Sequence, residues 1–359
     1  MLKKIGIVTL FGYNNYGNRL QMYAVQKVYK TMGLDSELIR YQQHITKDSF
    51  LIRLKIFVKY VLCLKSNLAT VFLKKRRVSN FKKHAKIHYT ESKNYLDPLA
   101  IDSTFHKKYS FLSVGSDQIW GWFSHPIANF IFLKFAPIEK RVAFSPSFGS
   151  SVIEEKYRKI FTKGLEGFYN ISVRESTGAQ IVKKFTNKDA TVICDPTMCL
   201  TKPEWLTFAS VHKKKPSEKY ILTYFLGDKS QKVLNIISQL SKEYEIVELN
   251  SLDSPGFYAI TPSEWVDYIN SAHLFLTDSF HGVVFSIVLQ TPFAVYSRVG
   301  GKSMETRISN ILEKFNMEDR FEITSNNSSL FHVEFDGTEE NIITERFKVN
   351  AFLRKSLNL

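Results

Sequence analysis

Short apolar runs alternate with longer amphipathic ones along most of the chain, the pattern of a parallel sheet whose strands are joined by crossover helices. Residues 5–10 have the composition of a buried strand, a Gly/Asn loop follows, and residues 18–32 place Leu20, Ala24, Val25 and Val28 at helical spacing. After a turn at Gly33, residues 37–41 read as a second parallel strand. Two more strands, 111–114 and 141–145, run into Gly115-Ser116-Asp117 and Pro146-Ser147-Phe148-Gly149. Ligands of open α/β sheets sit at such carboxyl ends.

The second half repeats this style without repeating the sequence. Strands are predicted at 171–173, 190–194, 219–226, 245–249, 274–277 and 293–296, and helices at 231–244, 263–270, 283–289 and 302–315. The fold class expected is therefore α/β, two Rossmann-like domains facing a cleft, with residues 1–165 as the N-terminal domain and 166–359 as the C-terminal one. A length of 359 residues suits two such cores.

Three cysteines, Cys63, Cys194 and Cys199, form neither an even disulfide framework nor a metal-ligand spacing, so a reduced compartment and no metal are expected. The apolar run at 5–10 is too short for a signal peptide, and charges interrupt every stretch approaching the roughly 20 apolar residues of a membrane span. These features predict a cytoplasmic protein.

The net charge of +15 is unevenly placed. Between Ser49 and Thr90 stand eleven Lys and Arg residues and no Asp or Glu. A uniformly basic coat for nucleic acid is thus excluded, and one local segment meeting an anionic surface fits better. Within 51–86 the cations interleave with Leu, Ile, Val and Phe, as in basic amphipathic helices that lie on anionic headgroups. Helices packed on the N-terminal domain with a solvated basic face are the alternative.

Candidate chemistry gathers at the strand ends. The loop Gly12-Tyr13-Asn14-Asn15-Tyr16-Gly17-Asn18 can cradle a ligand with amides at a helix N-terminus, or simply cap that helix. Asp117, just beyond a strand, can accept a proton from a hydroxyl, or cap a helix. Arg174 can fork onto a carboxylate or phosphate, or pair with Glu175 or Asp195. His281, between a predicted strand and helix and before Gly282, is the most informative single residue. His44, His84 and His88 lack such surroundings and are expected to be solvated.

Taken in order, residues 5–10 with 12–18, Val114-Gly115-Ser116-Asp117-Gln118-Ile119-Trp120, Ala143 to Gly149, Ser172-Val173-Arg174-Glu175, Cys194-Asp195-Pro196-Thr197 and Thr277-Asp278-Ser279-Phe280-His281-Gly282 resemble the motifs of the polysaccharide pyruvyl transferase family. The resemblance implies a glycosyltransferase-B-like fold, no cofactor, phosphoenolpyruvate as co-substrate, and a sugar of a bacterial surface glycan or its lipid-linked precursor as acceptor. It implies donor binding by Arg174 and His281. Many members carry Arg where this chain has Ser279, so the missing contact is expected from Arg298 or Lys302, with Ser279 and the Gly282 amide completing the donor side. His281 and Asp117 are the expected catalytic pair, and Asn14, Asn15, Asn18 and Gln118 the acceptor side. The expected setting is peripheral, at an anionic inner membrane face, with no nucleic-acid partner. A nucleotide-sugar glycosyltransferase of the same fold, or a non-catalytic glycan-binding or assembly subunit, are the competing readings.

Overall fold

The computed structural model describes residues 3–42, 68–121, 127–300, 305–323 and 327–359. In its first sheet β1 (Lys4–Val8), β2 (Asp35–Leu38), β3 (Phe111–Val114) and β4 (Arg141–Ala143) run parallel in the order β2-β1-β3-β4. Central parallel strands are covered on both faces and need apolar residues throughout. Ile5, Ile7, Val8, Leu112 and Val114 are accordingly buried. A bridge from Ala143 to Ile171 carries this sheet on into β5 (Ser172–Val173) and β6 (Thr191–Val192). The division expected at residue 165 falls before these last two strands of the first sheet.

The second sheet, β7 (Tyr220–Tyr224), β8 (Glu245–Leu249), β9 (Leu274–Thr277) and β10 (Phe293–Val295), is also parallel, in the order β10-β9-β7-β8. Every strand lies within or beside the run expected for it, usually with shorter ends.

The helices are α1 (Tyr16–Thr31), α2 (Leu68–His88), α3 (Arg158–Leu165), α4 (Ser176–Thr186), α5 (Lys202–Phe208), α6 (Gln231–Leu240), α7 (Pro262–Ser271), α8 (Phe280–Leu289), α9 (Glu305–Lys314) and α10 (Thr338–Leu357), with shorter turns between them. Two of these position the site. Every residue of α1 from Tyr16 to Val25 is buried, because the helix is pressed between the first sheet and the second half. Tyr16 stacks on Trp265 at 5.8 Å and 14°, and Tyr23 meets Phe208 at 4.2 Å. Helix α8 is apolar all round, as a helix without a solvent face must be, and His281 alone among its residues falls outside the buried class.

Helix α10 was not predicted, since its many charges mask a stripe of Ile342, Val349, Phe352, Leu353 and Leu357. Arg346 donates from Nε to the Met198 carbonyl and from Nη2 to that of Leu200, both at 3.0 Å, tying α10 to the turn at Pro196–Cys199.

Of the basic segment, residues 51–67 lie outside the described residues, and the remainder forms α2. The helix packs through Arg77, Phe81, His84 and Ala85, spaced for one face, and leaves Lys74, Lys75, Arg76, Lys82, Lys83 and Lys86 exposed. One cation of the segment is buried, and one expectation is corrected here. Arg77 is no solvated cation: it lies over the Tyr16 ring at 4.6 Å and donates to Asn250 Oδ1 at 2.7 Å. Nor is His84 solvated. It stacks on His88 at 4.2 Å, and burial, with smaller repulsion from His88 and Arg19, takes its pKa down to about 3. His44 lies outside the described residues.

Candidate functional site

The carboxyl end of β3 meets that of β4 at Gly115, whose φ of 121° suits glycine alone and where a Cβ would stand 2.0 Å from the Phe144 carbonyl oxygen. This close approach sets Ser116 deep in the protein. Its hydroxyl donates to the Ser145 carbonyl at 2.9 Å and lies 3.4 Å from Asp195 Oδ2.

Asp195 is the hub. It caps the turn at Pro196–Cys199, where its Oδ1 accepts from the Thr197 amide at 3.0 Å and hydroxyl at 2.7 Å. Its Oδ2 accepts from Arg174 Nη1 at 2.8 Å and stands 3.7 Å from His281 Nε2. Burial alone would raise the carboxyl's pKa, and the His281 ring, the Arg174 guanidinium and Thr197 outweigh it and hold the pKa below the usual range. Arg174 follows β5 directly and is 6% exposed. Burial opposes its charge, but Asp195, Glu175 and Asp117 prevail and keep its pKa above the ordinary value. Its Cζ lies 4.5 Å from the centre of the Phe280 ring, and Nε is 3.5 Å from Glu175 Oε2. Glu175 Oε1 is taken by the Ser147 hydroxyl at 2.7 Å.

His281 reaches this hub from the start of α8 because α1 carries Gly17 opposite it. A Cβ on Gly17 would lie 2.2 Å from His281 Nδ1. Burial lowers the imidazole's pKa, Asp195 and Asp117 pull it the other way, and the net direction is down, so the ring is neutral at pH 7.

Beside the hub opens a cavity of about 370 Å³, lined by Arg174, Glu175, Asp195, Phe280, Arg307 and Lys314 among others, with Val192, Met198 and Ile311 as its apolar wall. Among the described residues, Arg174 Nε and Nη2 and His281 Nε2 are buried without a hydrogen-bond partner. The two guanidinium N–H groups are ones that a bound anion can satisfy, and a neutral imidazole can accept a proton at Nε2. Among the described residues no cluster of His, Cys, Asp or Glu could hold a metal ion.

The sequence candidates fare unevenly. Arg174 and His281 converge on Asp195, and Asp117 acts on both electrostatically. Asp117 adopts φ 63° and accepts from the Gln118 amide at 2.9 Å, while Asn18 Nδ2 lies 3.4 Å from its Oδ2. Gln118, with its amide oxygen turned toward α9, accepts from the Arg307 guanidinium. Asn15 is the cap of α1, its Oδ1 accepting from the Asn18 amide at 3.0 Å, and Asn14 is exposed on the loop before it.

On the donor side three expectations change. Ser279 is the cap of α8, its hydroxyl accepting from the Gly282 amide at 3.3 Å, so these two groups satisfy each other. Gly282 is required by packing, since a Cβ there would stand 2.8 Å from Thr277 Oγ1. Arg298 pairs with buried Asp278 at 2.9 Å, and that carboxylate also takes the Leu226 and Gly227 amides at 2.8 Å each. It therefore joins the loops after β7, β9 and β10 instead of lining the cavity. Lys302 lies outside the described residues. Two residues of the site carry little signal in the sequence: Asp195, in Cys194-Asp195-Pro196-Thr197, offers only a partner for Arg174, and Arg307 belongs to no motif. An Asx cap followed by Pro was the available signal for the first; a lone Arg in an amphipathic helix offers none.

The sequence model of the polysaccharide pyruvyl transferase family matches residues 15–298. The chain belongs to this family. The matched stretch runs from the cap of α1 through Asp117, Arg174, Asp195 and His281 to Arg298. No curated protein sequence matches the chain. Among solved structures it is similar to a protein described as a UDP-N-acetylglucosamine 2-epimerase from Listeria monocytogenes, at 10% identity over 98% of this chain and 95% of that one, with a TM-score of 0.50. It is also similar to the Methanocaldococcus jannaschii UDP-GlcNAc 2-epimerase in complex with UDP-GlcNAc and UDP, at 9% identity over 98% and 99% of the two chains, with a TM-score of 0.49. At such identity the Listeria likeness is one of fold. The family member here has the glycosyltransferase-B-like arrangement, α/β with two parallel sheets.

Proposed function

We propose that this family member transfers the pyruvyl group of phosphoenolpyruvate to two hydroxyls of a surface-glycan sugar, or of its lipid-linked precursor, releasing phosphate and leaving a pyruvate ketal. The observation that carries this reading is the Arg174 fork, whose Nε and Nη2 are buried without a hydrogen-bond partner beside the cavity and within one carboxylate of His281. Two parallel N–H groups match a carboxylate or phosphate edge.

The chemistry divides into two steps. In the first, a sugar hydroxyl oxygen bonds to C2 of the enol ester while the C2=C3 electron pair takes a proton at C3. Neutral His281 accepts the hydroxyl's proton at Nε2 and passes it on, and the Asp195 carboxylate stabilises the transient imidazolium. In the second, the other hydroxyl replaces phosphate at C2. Asp117, half-buried and held by Asn18 and Gln118, takes its proton, and Arg174 stabilises the charge that develops on the departing group. No cofactor enters either step.

The test is a reaction with a panel of glycosides carrying paired hydroxyls, followed by proton spectroscopy of the products. A new methyl singlet appearing one for one with released phosphate is the expected result. No phosphate release with any glycoside, together with no binding of phosphoenolpyruvate, would favour the non-catalytic glycan-binding reading.

No helix among the described residues is long and apolar enough to cross a membrane. Exposed Leu68, Phe72 and Ile87 on α2 stand among its exposed Lys and Arg residues, and we infer that this helix rests on an anionic membrane surface where a lipid-linked acceptor is presented. Sedimentation with anionic vesicles should fall away as salt shortens the Debye length from about 10 Å at 0.1 M to about 3 Å at 1 M. Equal sedimentation with neutral and anionic vesicles would count against it.

A further inference from the structure

A second cavity, of about 550 Å³, opens between α2, the loop that follows α5 and the turn that leads into α7. It shares no lining residue with the cavity beside the hub. Arg76, Lys83 and His84 come to it from α2 and His212 and Lys213 from the loop, and Lys214 lies against the same wall, its Nζ 3.4 Å from where a Cβ on Gly256 would stand. Among the described residues none of the four Lys and Arg side chains is paired with a carboxylate. Glu264, the one carboxylate on the wall, is engaged by α7, where its Oε2 accepts from the Thr261 amide and hydroxyl at 2.7 and 2.9 Å.

The wall also holds an unanswered donor. His84 is 6% exposed, and both of its ring nitrogens are buried without a hydrogen-bond partner although the ring lines the cavity. Burial brings its pKa down to about 3, so the ring is neutral and has one N–H to donate. The cations act on the cavity as a group: Lys213, Lys214 and Arg76 join burial in lowering the His212 pKa, against Glu264. Such a wall suits an anion of more than one charge. The rim adds an apolar part. Ile87 on α2 and Val211 on the loop, 78% and 72% exposed, both border the cavity. At roughly 3.6 residues per turn, Leu68, Phe72, Arg76, Lys83 and Ile87 fall within about 100° of one another, so the exposed Leu68 and Phe72 continue the strip of α2 that borders the cavity.

We propose that this cavity binds the diphosphate of a lipid-linked glycan, with Arg76, Lys83, Lys213 and Lys214 around the phosphates and the apolar strip of α2 under the start of the chain. The identity of the lipid rests on the reading of the acceptor as a lipid-linked precursor; the anion site does not. The floor of the cavity is joined to the hub. Ala259 and Thr261 flank Ile260, whose carbonyl accepts from the Tyr16 hydroxyl at 3.2 Å, and the next residue, Gly17, faces His281. Asn80 ties α2 to the same floor, its Nδ2 donating to the Ala259 carbonyl at 2.7 Å.

The experiment is calorimetric titration of the full chain with inorganic pyrophosphate, in the presence of phosphoenolpyruvate to occupy the hub, in wild type, Lys83→Gln, Lys213→Gln and Lys75→Gln. Lys75 is exposed on α2 outside the cavity, so its variant removes the same charge at another place. Lys83→Gln and Lys213→Gln should each weaken pyrophosphate binding about tenfold, the loss of one charged hydrogen bond, and Lys75→Gln should leave it unchanged. No binding by wild type, or the same loss in all three variants, overturns the site. Sedimentation with vesicles carrying a polyprenyl diphosphate, against vesicles carrying phosphatidylglycerol at equal charge, then tests the lipid. Stronger capture by the diphosphate vesicles, displaced by pyrophosphate and reduced in Lys213→Gln, is expected. Equal capture by the two would overturn the lipid assignment. Pyrophosphate binding that needs Lys83 and Lys213 in a protein that takes up no phosphoenolpyruvate would uphold this site and count against pyruvyl transfer.

Discussion

On the pyruvyl-transfer reading, His281→Ala should lower the rate of ketal formation by about 10²–10⁴-fold, the range expected when a positioned proton-transfer group is removed. The fold should lose far less. The ring stands 3.7 Å from Asp195 Oδ2, too far for a hydrogen bond, and its buried Nε2 has no partner among the described residues. Truncation therefore removes packing and the ring's pull on Asp195 but no hydrogen bond, and unfolding in denaturant should report a change within about 1–2 kcal/mol. A large loss of stability with a proportionate loss of rate would make His281 a structural residue. The pH profile adds a second readout. Because burial lowers the imidazole's pKa, the neutral ring persists below pH 6.5, and the acidic limb of the rate profile should lie on that side.

Arg174→Gln is expected to have the larger effect on stability. Asp195 and Glu175, 1% and 5% exposed, would be left buried without their shared cation. Breaking a buried pair by removing one partner costs about 3–5 kcal/mol. The loss should depend on pH with a defined sign. The folded Asp195 has a depressed pKa, so the stability it contributes is present above the unfolded value near 3.9 and is lost as pH falls through the folded value. The gap between wild type and Arg174→Gln should accordingly narrow below about pH 4. Denaturant titrations at pH 7 and pH 3.5 check this, and a gap of constant size would mean that Asp195 is not the group Arg174 stabilises.

Much of the architecture was legible because parallel strands and their helices leave strong local signals. Runs such as Phe111–Val114 and Leu274–Thr277 are apolar on both faces, and small or polar residues stop them at the edge of the sheet. Arg174 and His281 could be picked out for the same reason, each standing just past such a strand. What stayed hidden depends on contacts far apart in sequence. Arg307 looks like any exposed cation of an amphipathic helix until the chain folds it against Phe280 and Gln118.

Some competitions between local roles could have been read differently. Ser279 stands three residues before Gly282, a spacing that offers a helix cap, and capping is what its hydroxyl does. Arg298 has Asp278 available as a partner, and it pairs with that buried carboxylate, which also holds two amides. His84 and Arg77 stand in sequence among exposed lysines. Their spacing with Phe81 and Ala85 is that of a packed stripe, which the density of neighbouring lysines concealed.

Pyruvyl transfer requires phosphoenolpyruvate at the Arg174, Asp195 and His281 hub. Calorimetric titration of wild type with phosphoenolpyruvate, repeated in the presence of inorganic phosphate and again with UDP-GlcNAc as the titrant, tests it most directly. One site per chain for phosphoenolpyruvate, weakened by phosphate, and no comparable heat from the nucleotide sugar are expected. Binding of UDP-GlcNAc with none of phosphoenolpyruvate would contradict it and make this chain a nucleotide-sugar enzyme.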